Sequence, residues 1–241
     1  MTTIGMIYPD HAAEDEYPCA AALLRVNLPV AHVYGTDLHA VPELLDLGSP
    51  DKLAGGLAQL ADSEPDAVMW ACTSGSFVYG AKGAEQQSAA LAAAAGVPAG
   101  STSQAFVAAL HHLEISHVAI AASYPWAVAT LFVEYLAAFD ITVVAVSSAG
   151  IDTAAQVGTL DAGQVLDLAV SNDHQKADAL LIPDTAMHTL AVVPELETRL
   201  GKPVLTANQV TIWHGLRLAG VTPSAAALGT LFSREAPHDP R

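Results

Sequence analysis

The stretch "DAVMWACTSGS", residues 66–76, decides the fold. Its first half is an apolar run with the length of a buried strand, and its second half brings together a thiol, three hydroxyls and a glycine. A short apolar run without alternation predicts a strand that is covered on both faces. Cys72 follows this run directly, so it is either a small core residue or a reactive group at the edge of a sheet.

Strand-like and helix-like patterns alternate around this stretch. Segments 3–8, 29–35 and 116–123 are short apolar runs, which predicts strands. Segment 49–62 has a helix start signal and helical spacing, and segment 84–96 is Ala-rich and ends in glycine, which predicts helices. This alternation favours the α/β class, with parallel βαβ units and helices on both faces of the sheet.

The second half of the chain repeats the pattern of the first. Three pairs of segments match: 4–11 with 118–126, 66–76 with 178–188, and 96–106 with 201–211. The matches pair Tyr8 with Tyr124, Cys72 with Asp184, Ser101 with Thr206, and Gln104 with Gln209. The repeat predicts two similar lobes that face each other. Because ligands bind beyond the carboxyl ends of parallel strands, we expect Cys72 and Asp184 on opposite walls of one cleft.

The length of 241 residues fits two small lobes. We assign residues 1–114 and 210–232 to lobe one and residues 115–209 to lobe two. The polar end, 233–241, is predicted to be a disordered tail.

Composition excludes several classes of function. The formal net charge is −16 and only nine residues are Lys or Arg, which argues against nucleic-acid binding. No basic leader and no apolar stretch of membrane-spanning length is present, so we expect a cytoplasmic protein without membrane contact. The two cysteines, Cys19 and Cys72, lack the spacing of a zinc site, and a disulfide is not expected. Cys19 is predicted to be a packing residue.

A thiol facing a carboxyl group suits proton transfer at carbon. We expect Cys72 to act as nucleophile or base and Asp184 as the opposing acid/base. If a helix begins just after Cys72, its dipole and free N–H groups would lower the pKa of the thiol. A neighbouring substrate carboxylate would favour the neutral form of Asp184, so we expect it to be protonated in the complex.

Small hydroxyls next to these two residues are candidates for substrate binding. With their backbone N–H groups they can hold a carboxylate and stabilise an enediolate at its α-carbon. The candidates are Pro9, Thr73, Ser74, Tyr124 and Thr185. No metal site is predicted.

Structural explanations compete with this hypothesis. Cys72 can be a core residue, and Asp184 can be the N-cap of a helix over 185–190. Tyr124 and the proline after it can simply form a turn that starts a helix. His11 and His188 are the histidines nearest the expected cleft, where either a supporting or a purely structural role is possible.

Five motifs of the chain match a known family: "GMIYP" (5–9), "CTSGS" (72–76), "GVPAGSTSQAFVAAL" (96–110), "VAIAASYPW" (118–126) and "VPELETRLGKPVLTANQVTIWHGLRLAG" (193–220). They resemble the aspartate/glutamate racemase superfamily, in the branch of arylmalonate decarboxylase and maleate cis-trans isomerase. The resemblance covers roughly residues 4–232. It implies two flavodoxin-like lobes with parallel sheets, related by a pseudo-twofold axis, and a cofactor-free site in the cleft between them.

The resemblance also implies roles for two strand-end positions that usually carry cysteines. Racemases use both thiols as acid/base, maleate isomerases use the first as nucleophile and the second as acid, and arylmalonate decarboxylase protonates its enediolate from the second. Here Cys72, followed by Thr73 and Ser74, fills the first position, and Asp184 replaces the second cysteine. Two-cysteine racemisation is therefore excluded. Protonation from the Cys72 face would invert the stereochemical result of the decarboxylase.

Three functions remain open at this point. The first is a cofactor-independent enzyme of isomerase/racemase type that acts at the carbon next to a carboxylate of a small (di)carboxylic acid. The second is an arylmalonate-type decarboxylase with Cys72 as proton donor. The third is a protein that binds a small carboxylate without catalysis. In each case the partner is a small carboxylic acid and the protein is expected to be a monomer or small homo-oligomer.

Overall fold

Two four-stranded parallel sheets form the frame of the molecule, in a computed structural model that describes residues 1–233. The strands are β1 (Ile4–Pro9), β2 (Val30–Val33), β3 (Ala67–Trp70), β4 (Ala99–Ser101), β5 (His117–Ala122), β6 (Thr142–Ser148), β7 (Ala179–Ile182) and β8 (Val204–Thr206). The first sheet has the order β2-β1-β3-β4 and the second the order β6-β5-β7-β8. The same order in both sheets confirms the α/β class and the two predicted lobes.

Helices connect the strands and cover the sheets. They are α1 (Glu16–Leu24), α2 (Val41–Leu47), α3 (Pro50–Gln59), α4 (Ser74–Phe77), α5 (Gly80–Ala95), α6 (Thr102–His112), α7 (Trp126–Ala137), α8 (Ala154–Gly158), α9 (Ala162–Ser171), α10 (Val193–Leu200) and α11 (Ala207–Leu218). As predicted, α5 ends at a glycine: Gly96 has a φ of +69°, a left-handed conformation that glycine adopts without strain.

One local prediction is wrong, and one competing explanation for Asp184 is removed. Cys19 is exposed on α1, because the buried side of this helix is formed by Glu16, Tyr17 and Ala20 and Cys19 lies outside it. Residues 185–190 form turns and no helix, so Asp184 is not a helix N-cap. In both places tertiary packing decides what the local pattern left open.

Matching hydrogen bonds at the last strand of each sheet reflect the internal repeat. The backbone N–H of Ser101 donates to Oε1 of Gln104 at 3.0 Å, and the N–H of Thr206 donates to Oε1 of Gln209 at 3.1 Å. Each glutamine lies in the first turn of the helix that follows, α6 or α11, and satisfies a backbone donor there. The pairing of these residues in the sequence is thus repeated in the structure.

Helix α11 follows a strand of the second sheet but packs against α6, β3 and β1. Gly215 permits this contact, since a Cβ there would lie 2.6 Å from Cγ2 of Ile4. This packing supports our proposal that 210–232 belongs with lobe one.

The last residues of the chain lie outside the described part. The predicted disordered tail, 233–241, therefore lies outside the described residues except for Ser233, whose hydroxyl donates to the Gly229 carbonyl at 3.1 Å. Among the helices within residues 1–233, none has both the length and the apolarity needed to cross a membrane.

Candidate active site

Cys72 and Asp184 occupy equivalent places in the two sheets. Each lies two residues beyond the end of its strand, Cys72 after β3 and Asp184 after β7. Both side chains line the same cavity, and both residues are almost fully buried, at 4% and 3% exposure. The cavity measures about 30 Å³, room for little more than a water molecule.

The sulfur of Cys72 is held at the start of α4. The backbone N–H of Gly75 donates to Sγ at 3.2 Å, and Oγ of Ser74 lies 3.8 Å from Sγ. Burial nevertheless raises the pKa of Cys72 to about 11, against the lowering effect of Gly75 and Ser74, and the charge of Asp184 adds to the rise. The expected lowering of the thiol pKa is therefore wrong for the ligand-free protein. A four-residue helix contributes too little to offset the loss of solvent.

Donors surround the carboxylate of Asp184. Oδ1 accepts the backbone N–H of Ala186 at 2.9 Å, and Oδ2 accepts the hydroxyl of Ser123. Nε2 of His39 lies 3.8 Å from Oδ2. Asp184 therefore caps a turn and faces the cavity as a hydrogen-bond acceptor. The thiol of Cys72 lines the same cavity.

Two of the predicted binding residues, Tyr124 and Thr73, are not among the residues that line the cavity. Tyr124 donates to the carbonyl oxygen of Pro183 at 2.6 Å, and burial, followed by the charge of Asp184, raises the pKa of its phenol well above the usual value. Oγ1 of Thr73 is buried and makes no hydrogen bond of standard geometry among the described residues, yet it is close enough to the Tyr124 phenol to act against the rise of its pKa.

The other three predicted binding residues, Pro9, Ser74 and Thr185, do line the cavity. Tyr8, which the sequence analysis did not select, lines it too: its hydroxyl donates to the Thr185 carbonyl at 2.9 Å and accepts the N–H of Ala13 at 3.0 Å. Its pairing with Tyr124 in the internal repeat was the signal for it.

The segment that follows β2 also lines the cavity, although the sequence patterns did not indicate it. Thr36, Asp37, Leu38 and His39 all line it. The segment is tied to lobe two, because the N–H of His39 donates to the Asp152 carbonyl at 2.7 Å and the N–H of Ala154 donates to the Asp37 carbonyl at 2.9 Å. Its position follows from the same rule that placed Cys72, since β2 is parallel to β3 and ends at the same edge.

The two histidines that the sequence placed near the cleft lie outside the cavity. His188 pairs with Asp15 at 2.8 Å. His11 lies near Glu14 and His32, and their potential ligand atoms are within 4.8 Å of one another, the one such group in residues 1–233. Two of these potential ligand residues already make hydrogen bonds within the protein. Nδ1 of His11 lies 2.6 Å from Oε1 of Glu14, and Nδ1 of His32 lies 2.7 Å from the Asp10 carbonyl oxygen.

The known proteins that are similar to this chain include arylmalonate decarboxylase and maleate isomerases. The family model described as arylmalonate decarboxylase matches residues 35–232. The chain is 29% identical over 221 residues to arylmalonate decarboxylase of Bordetella bronchiseptica, with 90% of each chain covered. It is also 29% identical over 241 residues to maleate isomerase of Nocardia farcinica, covering 93% of this chain and 94% of the relative.

The fold is shared with solved structures as well. A double variant of arylmalonate decarboxylase, with one glycine exchanged for cysteine and one cysteine for serine, was solved in its liganded form. It superposes with a TM-score of 0.79 at 25% identity, covering 98% of this chain and 100% of the variant. The two-sheet frame thus matches a known enzyme over almost its whole length.

Proposed function

The chain belongs to the arylmalonate decarboxylase family, and on that premise we propose that it is a cofactor-independent enzyme of isomerase/racemase type. It acts at the carbon next to a carboxylate of a small (di)carboxylic acid. The observation that carries this proposal is the placement of Cys72 and Asp184 at equivalent strand ends, both facing one closed cavity.

The burial of Cys72 and the hydrogen bonds of Asp184 indicate how the reaction starts. Burial keeps the proton on Cys72, whereas Asp184 is surrounded by donors. With an unsaturated dicarboxylate, the thiol proton passes to Asp184, which is then protonated beside the substrate as the sequence led us to expect, and the sulfur bonds to one alkene carbon. Asp184 returns the proton to the other carbon. The adduct then rotates about its new single bond, and the reverse steps release the geometric isomer and restore both groups.

With a saturated substrate the same two walls invert a stereocentre. Asp184 removes the α-proton and Cys72 delivers its own proton to the opposite face of the resulting enediolate. In this proposal the hydroxyl of Ser74, which lines the cavity, and that of Thr73, its neighbour in the chain, hold the enediolate oxygens. Pro9, Tyr124 and Thr185 shape the wall around them. These residue roles are part of the proposal.

Incubation of a substrate panel in deuterium oxide tests the proposal. The panel contains maleate, aryl- and alkylmalonates and amino acids, and NMR follows each compound. We expect isomerisation, or deuterium at the α-carbon, for at least one compound without loss of carbon dioxide. If no compound turns over or exchanges while Cys72→Ser still binds a carboxylate as the parent does, the protein is a non-catalytic carboxylate-binding protein.

A decarboxylase is the second candidate, and the raised pKa of Cys72 favours it. A thiol that keeps its proton at neutral pH is suited to protonate an enediolate after carbon dioxide leaves a substituted malonate. This reaction needs only one proton donor. Release of carbon dioxide from the malonates in the panel, with no exchange into unreacted starting material, identifies this function. The product would have the configuration set by the Cys72 face.

We also propose a cytoplasmic location and a monomer or small homo-oligomer. Both cysteines are free, which suits a reducing compartment. Size-exclusion chromatography with light scattering measures the oligomeric state directly.

A further inference from the structure

His39 lies beside Asp184 in the cavity wall, on a segment that comes from the other lobe. Its Nε2 is 3.8 Å from Oδ2 of Asp184, and the two side chains are 5% and 3% exposed. The ring of His39 also stands edge-on to Tyr124, with 4.9 Å between ring centroids. The pair is therefore shielded from water, where charges act on each other strongly.

The orientation of the His39 ring is fixed from its other side. Nδ1 lies 3.0 Å from the carbonyl oxygen of Ile151, which can only accept a hydrogen bond, so Nδ1 carries a hydrogen. The backbone N–H of the same residue donates to the Asp152 carbonyl at 2.7 Å. Both contacts belong to lobe two, and together they aim Nε2 at Asp184.

The charged groups that line the cavity indicate what the contact between His39 and Asp184 does. Three carboxyl groups line it, those of Asp10, Asp37 and Asp184. Among the described residues that line the cavity, His39 is the only one that can carry a positive charge. A substrate carboxylate that entered without such a charge would meet anionic groups in a site with little water, at a high cost in free energy.

We propose that His39 is a positioning residue that holds a proton on Nε2 against Asp184 and so keeps this wall neutral for a carboxylate substrate. This inference rests on the proposed function. When Asp184 takes up the proton of Cys72, the charge that remains on His39 offsets a carboxylate of the substrate. When Asp184 gives the proton back, the imidazolium and the carboxylate again neutralise each other. No further reactant is needed.

Malonate binding, measured by calorimetry at pH 7, tests the inference with four proteins: the parent, His39→Gln, Asp184→Asn and the double variant. We expect His39→Gln to weaken binding about tenfold, because Asp184 is left uncompensated. Asp184→Asn alone does not weaken it, and the double variant returns to within about threefold of the parent. A purely structural role for His39 would give no such rescue. His188→Gln is the matched control, since His188 also pairs with an aspartate, Asp15, but outside the cavity.

The outcomes separate this inference from the proposed function. If the rescue is seen in malonate binding but no compound of the panel reacts, the proposed function fails and the role of His39 stands. If compounds react but the double variant binds malonate no better than His39→Gln, the role of His39 is overturned alone. A parent protein that does not bind malonate overturns the role of His39, whereas the proposed function is decided by the substrate panel alone.

Discussion

Cys72 and Asp184 stand at the same point of two like sheets, each two residues past the strand, and they share one cavity. A duplicated frame therefore presents two different ionisable groups, a thiol from lobe one and a carboxyl group from lobe two. Both are buried, so each is sensitive to the charge of the other, and the charge of Asp184 contributes to the raised pKa of Cys72. A proton that moves between these walls is the simplest chemistry the geometry offers.

Replacement of the buried cysteine should abolish turnover. We expect Cys72→Ala to lower kcat by at least about 10²-fold, because both the nucleophile and the proton donor of that wall are lost. Cys19→Ala is the matched control, since Cys19 is exposed on α1 and should leave kcat unchanged. Steady-state kinetics on the best compound of the panel measures both. Retained activity in Cys72→Ala would remove Cys72 from the reaction.

Restoring a thiol on the second wall should change the chemistry. In Asp184→Cys both walls would carry the groups that two-cysteine racemases use. We expect this variant to exchange the α-proton of an amino acid or α-substituted acid, seen as loss of optical rotation and uptake of deuterium. Asp184→Ser, which offers a hydroxyl of similar size without an acidic proton, is the control. Equal exchange in both variants would show that the second wall does not transfer protons.

Stability at high pH should report the burial of Cys72. The folded thiol has a pKa of about 11 against 9.0 for the unfolded chain, so between these pH values the folded state binds more protons. The free energy of unfolding therefore falls as pH rises through this window, by roughly 3 kcal/mol for this group. Urea unfolding of the parent and Cys72→Ala from pH 8 to pH 11 measures the effect, because the main cause of the raised pKa of the buried tyrosines, their burial, is common to both proteins. Parallel curves would contradict it.

Tyr8 should hold the lobes together. Its hydroxyl joins Ala13 of lobe one to the Thr185 carbonyl of lobe two, and both contacts are buried. We expect Tyr8→Phe to lower the free energy of unfolding by about 1–3 kcal/mol, since the buried N–H of Ala13 loses its partner, whereas the Thr185 carbonyl keeps the side-chain amide of Asn208. Tyr34→Phe, at an exposed tyrosine, should cost much less. A Tyr8→Phe variant as stable as Tyr34→Phe would show that water replaces the hydroxyl.

The internal repeat accounts for most of what the sequence could reveal about the site. It predicted which strand ends meet, and the structure brings Pro9, Cys72, Ser74, Asp184 and Thr185 to one cavity. These positions follow from topology, because strand ends of parallel sheets are fixed by strand order.

Other features depend on contacts that no local pattern encodes. The direction of the pKa shift of Cys72 depends on complete burial, which only the packed lobes produce. His39 reaches Asp184 because a loop of lobe one binds backbone groups of lobe two. Cys19 points away from the core for a similar reason: the face of α1 that packs is chosen by its neighbours.

Deuterium transfer in Asp184→Asn tests whether Cys72 and Asp184 act together on the substrate. The rate at which solvent deuterium enters the best compound of the panel is measured by NMR for the parent, Cys72→Ala and Asp184→Asn under the same conditions. If the two walls work together, each variant loses at least about 10²-fold of the parent rate. If Asp184→Asn keeps the parent rate while Cys72→Ala is inactive, the Cys72 wall acts alone and the two-wall account is wrong.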